Sequence, residues 1–227
     1  MVDAGMLNGV KHGYTNWTEH SGGVVRKLYA GPDAEVRQAA EYRALTSLED
    51  DFPVPQVVRQ RPGELLTKFV GGEHGQDLMD AGRATAVLSA CGRILRRLHD
   101  LDPRMLDPAA GDGVVVQHGD FGPNNLLFDV DDERVTAVLD WEFSGTGEAI
   151  TDIAWCEWII RMHHPDAVSQ LPAFFQEYGW TPGWNARRAE MIRRCGWLEA
   201  FTERWEPGGE GATTWRNRTR IVEGWTE

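Results

Sequence analysis

The sequence predicts an α+β protein of two lobes: a small antiparallel sheet with one helix over residues 1–70, and a mainly helical lobe over residues 71–227. Three observations carry this. Strand-forming runs separated by glycine turns crowd the first third of the chain. The clearest helical periodicity begins only after Gly71-Gly72. From about Ala149 onward the chain reads as helices, and that stretch includes Trp155, Trp158, Trp180, Trp184, Trp197, Trp205, Trp215 and Trp225.

Composition fits such a chain. With 227 residues, 41% hydrophobic and 26% charged, it can bury a core without disulfide staples. Its 35 acidic residues outnumber 23 basic ones, for a net charge of -12, most of it beyond Asp120. So acidic a chain is a poor partner for nucleic acid or anionic membranes. It suits a cationic small molecule. Cys91, Cys156 and Cys195 are odd in number and unpaired in spacing, which reads as buried, reduced thiols rather than disulfides or a zinc site. The first residues lack a signal-peptide run, and no stretch approaches the roughly 20 apolar residues of a membrane helix. A cytoplasmic location is expected; the sequence leaves the oligomeric state open.

In chain order, Gly22-Gly23 turns the chain into the strand VVRKLY, rich in strand formers. Asp33 is placed to cap a helix running to about Leu48, on which Ala34, Glu41, Leu45 and Leu48 share one face. A carboxylate on that apolar stripe requires a partner. Strands follow near Gln56–Arg59 and Leu65–Val70. Residues 78–101 form a helix, because Ala84, Leu88, Cys91, Leu95 and Leu98 recur at helical steps. A Pro/Gly/Asp-rich loop leads to VVVQHGDFGPNNLLFDVDDERVTAVLDWEF, which reads as strand, loop, strand, turn, strand.

The loop His118-Gly119-Asp120-Phe121-Gly122-Pro123-Asn124-Asn125 packs an acid, an amide and a histidine between strands that fix its ends. The following hairpin brings Asp140 near Asn125. An amide oxygen and a carboxylate are hard ligands suited to Mg²⁺. Asp120 is placed to accept a proton from an attacking hydroxyl. Phosphoryl transfer needs these parts.

HGDFGPNN followed by VLDWE resembles the aminoglycoside phosphotransferase and choline kinase family, which is similar to protein kinases. The family pattern is His-x-Asp, Asn five residues after the Asp, then an Asp after the next hairpin; His118, Asp120, Asn125 and Asp140 match it. The resemblance implies a protein-kinase-like fold, ATP or GTP with Mg²⁺ as cofactors, Asp120 as catalytic base, and Asn125 and Asp140 as metal ligands. Asp152 resembles the later acid that braces the catalytic loop, with His118 as further support. Lys27 resembles the strand lysine that contacts nucleotide phosphates, and Glu41 the helix glutamate that pairs with it. HGYTNWTE resembles the phosphate-covering hairpin, but only Gly13 is present, so Thr15 and Asn16 stand in as phosphate contacts. Lys68, Phe69 and Val70 match the hinge whose backbone meets the adenine. The resemblance covers roughly Gly9 to Trp158.

The implied activity is transfer of a γ-phosphate to a hydroxyl of a small cationic molecule: an aminoglycoside or similar basic antibiotic, with a choline-like or amino-sugar metabolite as the alternative. A nucleotide-binding module without turnover is a second alternative, disfavoured by the complete set Asp120, Asn125 and Asp140. Protein kinase activity is disfavoured because too few residues separate Asp140 from Asp152 for a peptide-docking loop. His163-His164 reads as a helix end rather than a metal site. The late tryptophans read as packing, although rings beside Glu142, Glu157, Glu199 and Glu203 are also suited to hold a cation.

Overall fold

In the computed structural model, residues 16–129 and 134–227 are described. The phosphate contact expected at Thr15, most of the turn DVDDER and the first residues of the expected hairpin fall outside them.

Strands β1 (Asn16–Ser21) and β2 (Val24–Tyr29) form a hairpin, followed by helix α1 (Ala34–Leu48) and a second hairpin of β3 (Val57–Arg61) and β4 (Glu64–Lys68). The four strands make one antiparallel sheet in the order β1-β2-β4-β3. In its register Lys27 lies opposite Thr18 and Leu65, so all three side chains share a face. Helix α1 carries Glu41, Leu45 and Leu48 inward, together with Arg37 and Gln38. Gln38 explains how α1 is tied to the sheet. Its amide donates to Arg61 O (2.6 Å) and Glu64 O (2.8 Å) and accepts from Gly63 N (2.9 Å), satisfying the β3–β4 turn.

The Asp33 cap differs from expectation. Asp33 has a left-handed backbone (φ 56°) and makes no side-chain cap bond. Its carboxylate instead pairs with Arg204 (2.7 Å). The turn therefore closes through a distant arginine rather than through helix N–H groups.

Beyond Gly71-Gly72 the chain leaves the first sheet. Strand β5 (Glu73–His74) pairs with β7 (Leu126–Asp129), which pairs with β8 (Arg134–Val138); between them in sequence come α2 (Gly75–Leu78), α3 (Ala84–His99) and β6 (Val115–Gln117). The helix expected over 78–101 is broken. Residues Met79–Arg83 form a wider turn in which Gly82 has φ 85°, a conformation that interrupts the helical ladder. From Ala84 onward the expected apolar stripe is buried in full. Strand β9 (Gly145–Gly147) pairs with β6, and helices α4 (Ile150–His163), α5 (Leu171–Tyr178), α6 (Trp184–Trp205) and α7 (Glu210–Glu223) complete the chain.

One core runs from the sheet to the helices, joining Tyr29, Leu45, Leu48 and Leu65 to Leu88, Leu95, Trp141 and Phe174. A second joins α4, α6 and α7 through Trp155, Trp158, Met191, Cys195 and Val222. All three cysteines are buried free thiols. Among the described residues, no helix is long and apolar enough to cross a membrane. An antiparallel-sheet region followed by a mostly helical remainder is the expected fold class.

Candidate active site

The loop His118–Asn125 sits between β6 and β7, its backbone held by one buried acid. Asp152, on the first turn of α4, accepts from the backbone N–H of His118 (2.8 Å) and of Gly119 (2.8 Å), and contacts His99 Nε2 (3.2 Å). Burial opposes its charge, yet these bonds and the two histidines hold its carboxyl below the usual range. Gly119 has φ 80°, and a Cβ there would lie 2.2 Å from Phe143 O, so this turn requires glycine. His118 is wholly buried. The Asp120 N–H donates to its Nδ1 (3.1 Å), which leaves the proton on Nε2 to donate to Leu139 O (2.8 Å). Burial pushes its pKa down, so the ring is a neutral strut.

Asp120 is held at both carboxylate oxygens. Trp155 Nε1 donates to Oδ1 (2.6 Å), and Asn125 Nδ2 donates to Oδ2 (3.1 Å) and to the backbone oxygen (2.8 Å). Burial, reinforced by Asp140, raises its pKa to about 7, against the lowering effect of the Trp155 bond. That is the range in which a carboxylate serves as a general base near neutral pH.

Asp140 follows β8 with φ 65°, an uncommon backbone for a non-glycine residue. The Leu139 N–H donates to Asn125 O (2.8 Å), which holds the residue before Asp140 to Asn125. Lys27 Nζ donates to Asp140 Oδ1 (2.5 Å) and to Glu41 Oε2 (2.5 Å), and lies 3.9 Å from Glu142. Burial opposes charge on both partners, but their pairing holds Asp140 below and Lys27 above its ordinary value. Tyr29 donates to Glu41 (2.6 Å). Glu41, Asp140 and Glu142 thus present carboxylate oxygens within 4.8 Å of one another, around one ammonium.

The remaining sequence candidates fall as follows. Asn16 lies between ions of the chain itself: its amide donates to Glu142 (2.5 Å) and accepts from Arg37 (3.2 Å). At the hinge, the Lys68 N–H donates to Gln56 O (2.8 Å) and the Phe69 N–H to Gly23 O (2.9 Å). The Phe69 ring is half exposed and stacks on His20. Among the described residues nothing accepts the Val70 N–H. His163 closes α4.

A sequence model of the phosphotransferase enzyme family matches residues 7–113 and 105–189. The chain belongs to that family. The phosphotransferase also shares its fold with solved structures. The GDP complex of wild-type aminoglycoside 2'-phosphotransferase-IIIa is 10% identical, covers 98% of this chain and 93% of its own, and superposes with a TM-score of 0.74. The gentamicin-APH(2")-IIa complex is 14% identical over 95% and 91% (TM-score 0.71). A choline/ethanolamine kinase family protein from Mesorhizobium loti is 16% identical over 98% and 89% (TM-score 0.67). A curated relative, acyl-CoA dehydrogenase family member 11 of Gallus gallus, is 44% identical over 48 residues, which are 21% of this chain and 6% of that protein.

Three residues in contact with these candidates or their loop carry no site reading in the sequence. Arg37 donates to Glu142 (2.6 Å) and stands one helical turn before Glu41, a spacing that was there to be read. Trp155 lies three residues after Asp152 on α4, so both face the His118–Asn125 loop. Arg194, on α6, donates to Gly119 O (2.6 Å) and carries no sequence signal. The late tryptophans read as packing, and the acids beside them, the alternative cation cage, are met by groups of the chain itself. Glu142 is bound by Arg37, Glu157 by Arg187 (2.6 Å) and Arg161 (2.8 Å), and Glu199 by Arg216 (2.8 Å), while Glu203 accepts from Gly208 N (3.0 Å). Guanidinium groups lie over the rings as well: Arg218 over Trp215 (4.4 Å), Arg161 over Trp184 (4.6 Å) and Arg194 over Trp197 (4.3 Å).

Proposed function

We propose that this phosphotransferase moves the γ-phosphate of ATP or GTP to a hydroxyl of a small molecule, between lobes that divide at Gly71-Gly72. The observation that carries the reading is the Asp120 carboxylate, fixed at both oxygens and titrating near 7. It stands next to the row Asp140–Lys27–Glu41. Phosphoryl transfer asks the protein for positioning and charge stabilisation rather than covalent chemistry.

In this reading Lys27 neutralises phosphate oxygens while Glu41 and Tyr29 fix its ammonium. The unused Val70 N–H meets the nucleotide base at the hinge. The acceptor hydroxyl approaches Asp120, which takes its proton as the hydroxyl oxygen bonds to phosphorus. The bond from phosphorus to the bridging oxygen breaks, and that oxygen leaves with the nucleoside diphosphate. Asn125 keeps Asp120 in place through its Nδ2. Its Oδ1 and the second oxygen of Asp140 have no protein partner among the described residues, and such hard oxygens fit Mg²⁺. Bound Mg²⁺ supplies neutralisation of phosphate charge.

Two of the structural neighbours named above are a gentamicin complex and a choline/ethanolamine kinase family protein, which by analogy favours an aminated acceptor. The excess of acid beyond Asp120 favours the same class only where those acids are unpaired.

The test is label transfer. The purified chain with γ-labelled ATP or GTP and Mg²⁺ is offered hydroxylated acceptors. Label in a phosphorylated acceptor, abolished by Asp120→Asn, supports the reading. Label released only as inorganic phosphate, or transfer that survives Asp120→Asn, counts against it.

A further inference from the structure

Polycationic ligands are held by carboxylates that lack internal partners and by bare aromatic faces. Beside the Asp120 loop, the rings of Phe143, Trp155 and Trp197 already carry a guanidinium of the chain itself. Of the acids in the alternative cation cage, Glu157 and Glu199 are taken by arginines and Glu203 by a backbone N–H, and Glu190 is taken by Arg193 (2.7 Å). That guanidinium belongs to Arg194, which also reaches the loop backbone.

Arg194 sits in a three-ring cage, 4.3 Å from the Trp197 ring centre, 5.3 Å from Phe143 and 5.6 Å from Trp155. Trp155 is the residue that donates to Asp120. One N–H of Arg194 reaches Gly119 O (2.6 Å); among the described residues its remaining donors have no partner, and its Nε is buried without one. Burial works against its charge. A guanidinium lying over ring faces keeps its N–H edge for oxygen acceptors, and that fork matches a carboxylate or phosphate. Trp197 is 37% exposed, so the cage reaches the surface.

We propose that Arg194 binds an anionic oxygen group of the acceptor, so that this phosphotransferase acts on a hydroxylated acid rather than on a polyamine. The inference rests on the proposed phosphoryl transfer to a hydroxyl held beside the Asp120 loop. It gives the unmet donors of Arg194 a partner, and it places the acceptor's charged group beside the loop that carries Asp120. It also accounts for the internal pairing of the neighbouring acids, which would otherwise repel such an acceptor.

The experiment compares acceptors that differ in one group. γ-Labelled nucleotide is offered with glucuronic acid, glucose and glucosamine, with glycerate, glycerol and aminopropanediol, and with gentamicin and choline. The parent chain, Arg194→Gln, Arg194→Lys and Asp120→Asn are assayed after their melting temperatures show that each folds. The expected result is transfer to the acidic member of a series, with KM for that acid raised about tenfold or more in Arg194→Gln and less in Arg194→Lys, at unchanged nucleotide Kd. Preference for gentamicin, choline or an amino sugar overturns the inference. So does an acid acceptor whose KM is unmoved by Arg194→Gln. No transfer to any acceptor overturns the proposed function along with it, whereas transfer retained by Asp120→Asn removes the base assignment and leaves the acid-against-amine comparison standing.

Discussion

On the sheet side of Asp120, three carboxylates share two cations; on the helical side, Glu157, Glu199 and Glu203 already have partners within the chain. Lys27 and Arg37 serve Glu41, Asp140 and Glu142, which leaves one negative charge in excess before Asp120 is counted. Across Asp120, Glu157 and Glu199 are bound by arginines, and Arg194 is left with donors to spare. The difference shows two ways of preparing a site. The sheet side gathers three carboxylates around Lys27 and Arg37, which suits the metal-bound nucleotide of the proposed function. On the helical side Glu157 and Glu199 are paired within the chain, and in the inference above Arg194 is the group that recognises the acceptor.

The largest expected effect falls where the two sides meet. Asp120→Asn keeps the shape but removes the proton acceptor, and turnover should fall by about a thousandfold, the scale of a general base. Nucleotide Kd, measured by titration, should stay within about threefold, because the binding groups lie on the sheet side. A loss of nucleotide binding would mean that the two sides are one electrostatic unit.

Lys27→Met tests the sheet side alone. It leaves three carboxylates without their shared ammonium and removes a charged donor for phosphate. We expect kcat/KM for the nucleotide to fall on the order of a hundredfold, the scale of one lost charge-stabilising donor. Acceptor KM should move far less, as read in the same steady-state assay. An equal loss in both would blur the comparison.

Trp155→Phe tests the helical side. The ring stacks on Trp158 at 4.4 Å, and phenylalanine keeps part of that packing while losing the N–H. The indole bond lowers an Asp120 pKa of about 7. Its loss raises that pKa further, so more of the base is protonated at neutral pH. The acid limb of kcat/KM should move to higher pH, with activity at pH 7 down about tenfold and the gap narrowing as pH rises. A uniform loss at every pH would make Trp155 a packing residue only.

The legible part of this site is the part that lies in one short stretch. His118, Asp120, Asn125 and Asp140 are set by one loop and one hairpin, so their spacing in sequence is close to their spacing in the fold. The Lys27–Glu41 pair was also within reach, because a buried strand lysine and a buried helix acid need each other. Arg194 lies 75 residues from the Gly119 carbonyl it binds, and no local pattern announces such a contact. Gln38 was missed because a polar residue on an apolar stripe reads as exposed until its three turn partners are seen. Asp33 was misread for the opposite reason. It has the sequence form of a cap, but tertiary pairing with Arg204 overrode the local preference.

That pairing gives the smallest expected effect. Asp33 and Arg204 join the start of α1 to the end of α6, and their side chains are 44% and 52% exposed. Water screens such a pair, and ordering two mobile side chains offsets much of the attraction. Beside it the indole of Trp205 packs on the Gly31 turn, where a Cβ would meet the ring at 2.1 Å, and Arg37 lies 5.9 Å from the ring centre. Packing rather than the ion pair then holds the helical side to the sheet. Asp33→Asn removes the charge while keeping a residue that tolerates the left-handed backbone, and should shift the melting temperature by no more than about 2 °C. A larger drop, abolished by high salt in the parent, would make the exposed pair an anchor and would extend the pairing of charges on the helical side from recognition to stability.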